Sequence, residues 1–345
     1  MAAEEDIRVA VMMVGGRRCG KTSVLAAMKE NFQDNFAGTN LTARFGDTGT
    51  LIILEEKREE LNEYFRGNRT FMPDSNPTEE IMIYSFIVGI EGKKGGIRID
   101  FLDYPGEWLT DKGHLPQLLE CMKESESIII AIDTPHMMEE DGRFNEYRNY
   151  CHKTSEILKM ALEEASIKRN LVLFVPLKCE RYFEDERMDE VCEKTKESYE
   201  ELIRYFKRKK QAYEVAITPI FTLGGAVFSH FERDRKTGEI KVNSQFHTPE
   251  NAVYCFPDLS VKKPSPRYCD QPLIFLLAYF LQLAGDVKKD NFDKTSFWGK
   301  AWTYLQETFF HYSSAEDYYE LKKTLTERLK KTGDGYCIIQ NPIKL

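Results

Sequence analysis

Nine residues, GGRRCGKTS at positions 15–23, constrain this chain more than any other stretch. They match GxxxxGK[ST] through Gly15, Gly20, Lys21 and Thr22, with Gly16, Arg17, Arg18 and Cys19 filling the loop and Ser23 following it. The preceding run, IRVAVMMV at 7–14, is apolar and β-branched and predicts a buried strand of a parallel sheet. Val24, Leu25, Met28 and Phe32 then recur at helical spacing, predicting a helix from Thr22 that fades near Asn35 and Gly38. A glycine turn between such a strand and helix points backbone N–H groups inward at an anion, and the helix N-terminus adds its dipole. For a phosphate chain in that cradle, Lys21 reaches the terminal phosphates and the Thr22 hydroxyl is placed to ligate Mg²⁺.

The rest of the pattern predicts an α/β fold around that loop. A helix is expected over residues 50–66, stopped by Gly67. Strands at 80–90 and 97–102, joined by the turn 92–96, read as an antiparallel hairpin at one edge. Buried strands at 127–133, 171–175 and 215–223 alternate with helices at 145–165 and 185–209, the signature of a parallel sheet covered on both faces. The expectation is a mostly parallel six-stranded sheet. Residues 228–267 carry scattered prolines and no period, predicting an irregular insertion or a small hairpin, and the apolar run 273–284 fits a core helix too short to cross a bilayer. We therefore expect a domain over 1–285 and a helical C-terminal extension over 286–345 packed on it. Within that extension, the aromatic stripe at 297–312 fits packing on its own domain or a partner or membrane-surface face, and the stretch 322–331 fits a solvated helix.

A net charge of −8 argues against a nucleic-acid coat. The eight cysteines form no CxxC pair and suggest neither zinc nor a disulfide framework. The acidic start and the lack of a long apolar run lead us to expect a cytoplasmic protein.

Further candidates follow the strand ends. IDFLDYPGEW supplies Asp103 as a second Mg²⁺ handle, Gly106 as an amide donor to a terminal phosphate, and Glu107 as a residue placed to orient water, against a plain solvated loop glutamate. Thr78, just before the hairpin, is the candidate third metal ligand, with Thr39, Thr42 and Thr48 as competitors. At the end of the 171–175 strand, Lys178 and Glu180 form KxE. A carboxylate there accepts both N1–H and N2–H of guanine, and adenine cannot satisfy it. The backbone of Thr222, Leu223 and Gly224 is small enough to approach the base oxygen.

GGRRCGKTS, the PT before an edge strand, DYPGE, LKCE and TLGG resemble, in type and order, the Ras-like branch of P-loop GTPases. DYPGEWLTD at 103–111 is similar to the DxPGEWLxD stretch of the YcjX-like and related bacterial GTPase-like families. The resemblance spans about residues 7–225 and implies a Rossmann-like P-loop domain, GTP or GDP with Mg²⁺, and a switch read by a protein effector or regulator, with homodimerisation open. LKCE departs from the family's NKxD, lacking its Asn and carrying Glu for Asp. Arg17 and Arg18 stand where small residues are usual, and Arg17 is our candidate for a γ-phosphate contact in cis or across a dimer, against an outward, solvated arginine. An ATPase or other phosphotransferase, and a nucleotide-bound scaffold that does not hydrolyse, remain open alternatives.

Overall fold

A computed structural model describes residues 7–30, 41–66, 80–91, 96–165, 170–209, 212–258, 260, 263–289, 323–325, 327 and 336–340. Thr39, Thr78, the aromatic stripe at 297–312 and most of 322–331 lie outside them.

All six expected strands form: β1 (Ile7–Val14), β3 (Met82–Ile90), β4 (Ile97–Asp103), β5 (Ser127–Asp133), β6 (Asn170–Leu177) and β7 (Tyr213–Ile217). Among the described residues the sheet nevertheless has eight strands, because β2 (Leu41–Phe45) and β10 (Cys337–Gln340) add to its edges. The order is β10-β7-β6-β5-β1-β4-β3-β2. Strands β4, β1, β5, β6 and β7 run parallel, while β3 on β4, β2 on β3 and β10 on β7 are antiparallel. The expected hairpin is real but is not the edge, since β2 covers β3. Cys337–Gln340, assigned above to a helical extension, is sheet. Four-residue segments carry too little periodicity to be told from loop, and only pairing with β7 defines this one.

Side-chain alternation on β1 builds two cores. Val9, Val11 and Met13 face α1 (Lys21–Glu30), α2 (Thr48–Arg66) and the apolar half of the late helix Gln271–Lys289. Met12 and Val14 face α3 (Leu115–Lys123) and the helices Cys151–Glu164 and Glu200–Arg208. Burial on both faces explains why β5 and β6 read as unbroken apolar runs.

Three expected elements are broken. The helix at 145–165 splits into α5 (Asn145–Asn149) and α6 (Cys151–Glu164) at Tyr150, which has φ 50°. Asn149 is drawn out of line by β5, accepting Asp133 N–H at 2.8 Å and donating to Asp133 O at 3.1 Å. The helical region at 185–209 starts earlier and becomes α7 (Glu180–Glu184), α8 (Met188–Ser198) and α9 (Glu200–Arg208). The strand expected to reach 223 ends at Ile217, although Thr218 N–H and Ile220 N–H still donate to Phe174 O at 2.8 Å and Pro176 O at 2.9 Å. Thr134–Met138 (α4) and Gln271–Lys289 (α10) are also helical.

The insertion takes the hairpin form. β8 (Val227–Phe231) and β9 (Ala252–Cys255) pair antiparallel, and Phe228, Phe231 and Tyr254 join Tyr64, Phe65 and Phe144 in a third, aromatic cluster. It docks over the C-terminal ends of the parallel strands: Phe231 lies 4.8 Å from the His136 ring and Arg181 donates to Ser229 O at 2.6 Å.

At the opposite end of β5, Glu126 is clamped to Ala10, whose N–H donates to its carboxylate at 2.7 Å. Burial is the leading influence and pushes this carboxyl up to about 7 from 4.5. A folded pKa raised above the unfolded one means stability fully present below pH ~4.5 and lost as pH rises through ~7. Glu126→Gln keeps an acceptor for Ala10 and should remove that slope, leaving the variant more stable than the parent at pH 8 by at most roughly 3 kcal/mol. Urea midpoints at pH 5 and pH 8 check this, and equal pH slopes in both proteins would refute it.

Candidate functional site

The phosphate loop is shaped by close backbone approach. Gly20 has φ +111°. A Cβ on Gly15 would lie 2.8 Å from Cys19 Sγ and 2.9 Å from Ala131 O, so the loop seats directly on β5. The Lys21 ammonium, only 7% exposed, curls back to donate to Gly15 O at 3.2 Å and Gly16 O at 3.5 Å, 5.3 Å from the Tyr104 ring centroid. Tyr104 Oη in turn accepts from Gly15 N–H at 3.3 Å. Thr22 and Ser23 open the helix at the loop's end, so its first-turn amides face the loop.

Beside it, β4 delivers Asp103 into a fully buried position. Thr22 Oγ1 donates to Asp103 Oδ2 at 2.6 Å, and Lys21 Nζ sits 3.7 Å from Oδ1. Oδ1 has no hydrogen-bond partner. Burial pushes this carboxyl up, opposed by Lys21 and the Thr22 hydroxyl. A buried carboxylate with one oxygen unsatisfied, next to a hydroxyl at the phosphate loop, is a donor set that fits a hard divalent cation.

Gly106, three residues on, touches the loop itself: a Cβ there would lie 2.2 Å from Arg17 N and 2.4 Å from Gly16 C. Glu107 and Arg17 meet across this contact, with Arg17 Nε 2.8 Å from Glu107 Oε1.

A closed hydrogen-bond circuit ties the two loop arginines' carbonyls to the strand ends. Arg148 Nη1 donates to Arg17 O at 3.1 Å, and its Nε donates to His136 Nε2 at 3.3 Å. Because guanidinium only donates, His136 Nε2 must be the acceptor, and its Nδ1 carries the hydrogen given to Asp133 Oδ1 at 2.6 Å. Lys178 donates to Asp133 Oδ2 at 2.5 Å and to Arg18 O at 3.5 Å, closing the ring. Burial holds His136 neutral, down to about 4, while Asp133 stays ionised, well below the usual carboxylate range, with His136, Lys178 and Arg148 offsetting its desolvation.

Just past the end of β6, Glu180 is 3% exposed, and its Oε1 accepts from Leu223 N–H at 2.8 Å and Gly224 N–H at 3.0 Å. Burial pushes it up, with these amides opposing. Gly224 has φ +69°, and a Cβ would lie 1.9 Å from Ser265 O. On the outer face of the phosphate loop a cavity of about 50 Å³ is lined by Arg17, Arg18, Tyr147, Arg148, Tyr150 and the insertion's Phe246, among others.

The family model for Double-GTPase 2 matches residues 9–238, more than half of the chain. The chain belongs to the Double-GTPase 2 family. No curated protein matches it. Among solved structures, the *S. cerevisiae* Ski7 GTPase-like domain bound to GDP and inorganic phosphate aligns at 12% identity and TM-score 0.38, covering 71% of this chain and 47% of that one. Sup35 complexed with GDP aligns at 10% identity and TM-score 0.31, covering 64% and 40%. The chain thus spans less than half the length of these neighbours. Among the described residues, no helix is long and apolar enough to cross a membrane.

In this Double-GTPase 2 chain, then, Gly15 to Ser23, Asp103, Gly106 and Glu107 converge on one end of the sheet. Lys178, Glu180, Thr222, Leu223 and Gly224 gather at the adjacent strand ends. The structure gives Lys178 and Glu180 protein partners: an aspartate for the first, two amides for the second. Of the competitors to Thr78, Thr42 pairs with Gly89 in β2 and Thr48 opens α2. Sequence reasoning missed Asp133, His136, Arg148 and Phe246. Asp133 carried a readable signal, since SIIIAID ends in aspartate as the IDFLD strand does. The others stand in short or irregular segments, and only folding brings them to the loop.

Proposed function

We propose that this chain binds GTP with Mg²⁺ and hydrolyses it to GDP and phosphate, as a switch whose nucleotide state is read by a protein partner. The observation that carries this is the pair of Thr22 with the buried Asp103, whose Oδ1 is unsatisfied, 3.7 Å from the Lys21 ammonium at the mouth of the phosphate loop. Thr22 and Asp103 would hold the metal, with Thr78 as the third ligand. A Mg²⁺ ion held there would supply positive charge to offset the charge that develops on the terminal phosphate. Lys21 and the loop amides bind and orient the terminal phosphates, and the Gly106 amide adds a donor at the γ-position. Glu107 orients the attacking water and Arg17 binds the γ-phosphate. Guanine is the base this reading favours on the family match, and Glu180 holds the Leu223 and Gly224 backbone at that end of the site. The DYPGEWLTD resemblance adds to the same reading.

A second reading, a nucleotide-bound scaffold without turnover, is favoured by the Arg17–Glu107 ion pair, which occupies both groups with each other. Single-turnover hydrolysis with Mg²⁺, together with competition of GTP against ATP, separates the two. We expect phosphate release and GTP preference. No release over hours selects the scaffold, and equal displacement by ATP removes guanine selectivity. Arg17→Gly should lower turnover by about tenfold or more. Unchanged GTP affinity and turnover in that variant would exclude Arg17 from the chemistry.

A further inference from the structure

We infer that Phe246, on the insertion, is the positioning residue for Arg17: the insertion sets the aim of the phosphate-loop arginine from within the same chain. This rests on the reading of Arg17 above. The Arg17 guanidinium carbon lies 5.0 Å from the Phe246 ring centroid, within cation–π range, while Nε sits 2.8 Å from Glu107 Oε1. One face of the guanidinium is therefore covered by a ring, and a carboxylate lies beside its Nε edge as an ion pair without a hydrogen bond. The remaining edge, Nη1 and Nη2, is the pair that binds two phosphate oxygens at once. A long arginine side chain loses rotamer freedom when fixed, so fixing it before the substrate arrives removes that cost from the reaction.

The turn that presents the ring is itself built to hold one shape. Asn243 Oδ1 accepts from Gln245 N–H at 2.9 Å and from Phe246 N–H at 3.0 Å. Asn243 O accepts from His247 N–H at 2.8 Å, and Asn243 N–H donates to Thr248 O at 2.8 Å. His247 takes φ 53° to make this closure, and Val242 pairs with Pro249 across its base. His247 then rests on Tyr147, ring centroids 5.4 Å apart, next to Arg148, which donates to Arg17 O. Thus the backbone of Arg17 is fixed by Arg148 and its side chain by Phe246 and Glu107. The insertion reaches both.

The test uses the full chain with Phe246→Leu, which refills the space without a ring, and Phe246→Tyr, which restores the ring. Two readouts are taken. The first is ¹⁵N relaxation of the Arg17 Nε–H signal, assigned by its loss in Arg17→Lys, with no nucleotide required. The second is GTP turnover, with KM and kcat separated. We expect Phe246→Leu to mobilise Arg17 Nε and to lower kcat by about 5- to 10-fold with KM changed less than about twofold. Phe246→Tyr should restore both. Arg17 Nε equally ordered in the leucine variant and the parent overturns the inference, as does a rise in kcat, which would make the ring an inhibitory cover. If the parent protein hydrolyses no GTP, the proposed hydrolysis fails, and the Nε relaxation still decides the role of Phe246.

Discussion

Lys21→Ala is expected to abolish detectable GTP turnover and to lower apparent stability at the same time. The first effect follows from removing the cation that reaches the terminal phosphates, and loss of one preorganised donor costs about 10²–10³ in rate. The second follows from the burial of Asp103. Lys21 Nζ, 3.7 Å from its free Oδ1, is the charge that opposes Asp103 desolvation most strongly. Removing one member of a buried pair leaves an uncompensated charge, at roughly 3–5 kcal/mol. Loss of binding in Lys21→Ala alone would therefore be ambiguous. The double variant Lys21→Ala, Asp103→Asn resolves it: thermal stability should return toward that of the parent, and nucleotide affinity should not. Recovery of both would mean that Lys21 acts only as a structural counter-ion.

Gly106→Ala should separate hydrolysis from binding. Its added methyl would fall 2.2 Å from Arg17 N and 2.6 Å from Arg17 Cα, so backbone must move on one side. The phosphate loop is anchored to β5 through Gly15 and by the circuit from Arg17 O to Arg18 O, whereas the Gly106–Leu109 turn has no side-chain cap at its start. The turn is the part that gives way. Glu107 then leaves Arg17, and the Gly106 amide leaves the γ-position. We expect GDP affinity to stay within about threefold and single-turnover hydrolysis to drop by about 10²-fold or more. Isothermal titration with GDP beside a phosphate-release assay reads both; parallel losses in the two would show that the loop, not the turn, had moved.

The parts of the site legible in sequence are those whose chemistry needs consecutive residues. Gly15 to Ser23 had to be contiguous because one turn of backbone wraps one phosphate chain, and Asp103 was visible because it ends an apolar strand. The sheet's interior was legible for a related reason: strands buried on both faces must be apolar throughout. The end of the last parallel strand at Ile217 was not legible, since the apolar run continues past it to Leu223. The edge strands β2 and β10 were not legible, since four or five residues gain strand character only from the neighbour they pair with.

The sequence by itself therefore determined the phosphate loop, the order of the parallel strands' motifs and the candidate metal donors Thr22 and Asp103. Tertiary structure decided how those residues are engaged. It put Asp133, His136 and Arg148 beneath the loop, gave Lys178 and Glu180 partners inside the protein, and laid Phe246 over Arg17 from about 230 residues along the chain. Hydrogen bonds, ion pairs and ring contacts of that range depend on distance in space alone. No local pattern in the chain records them until it has folded.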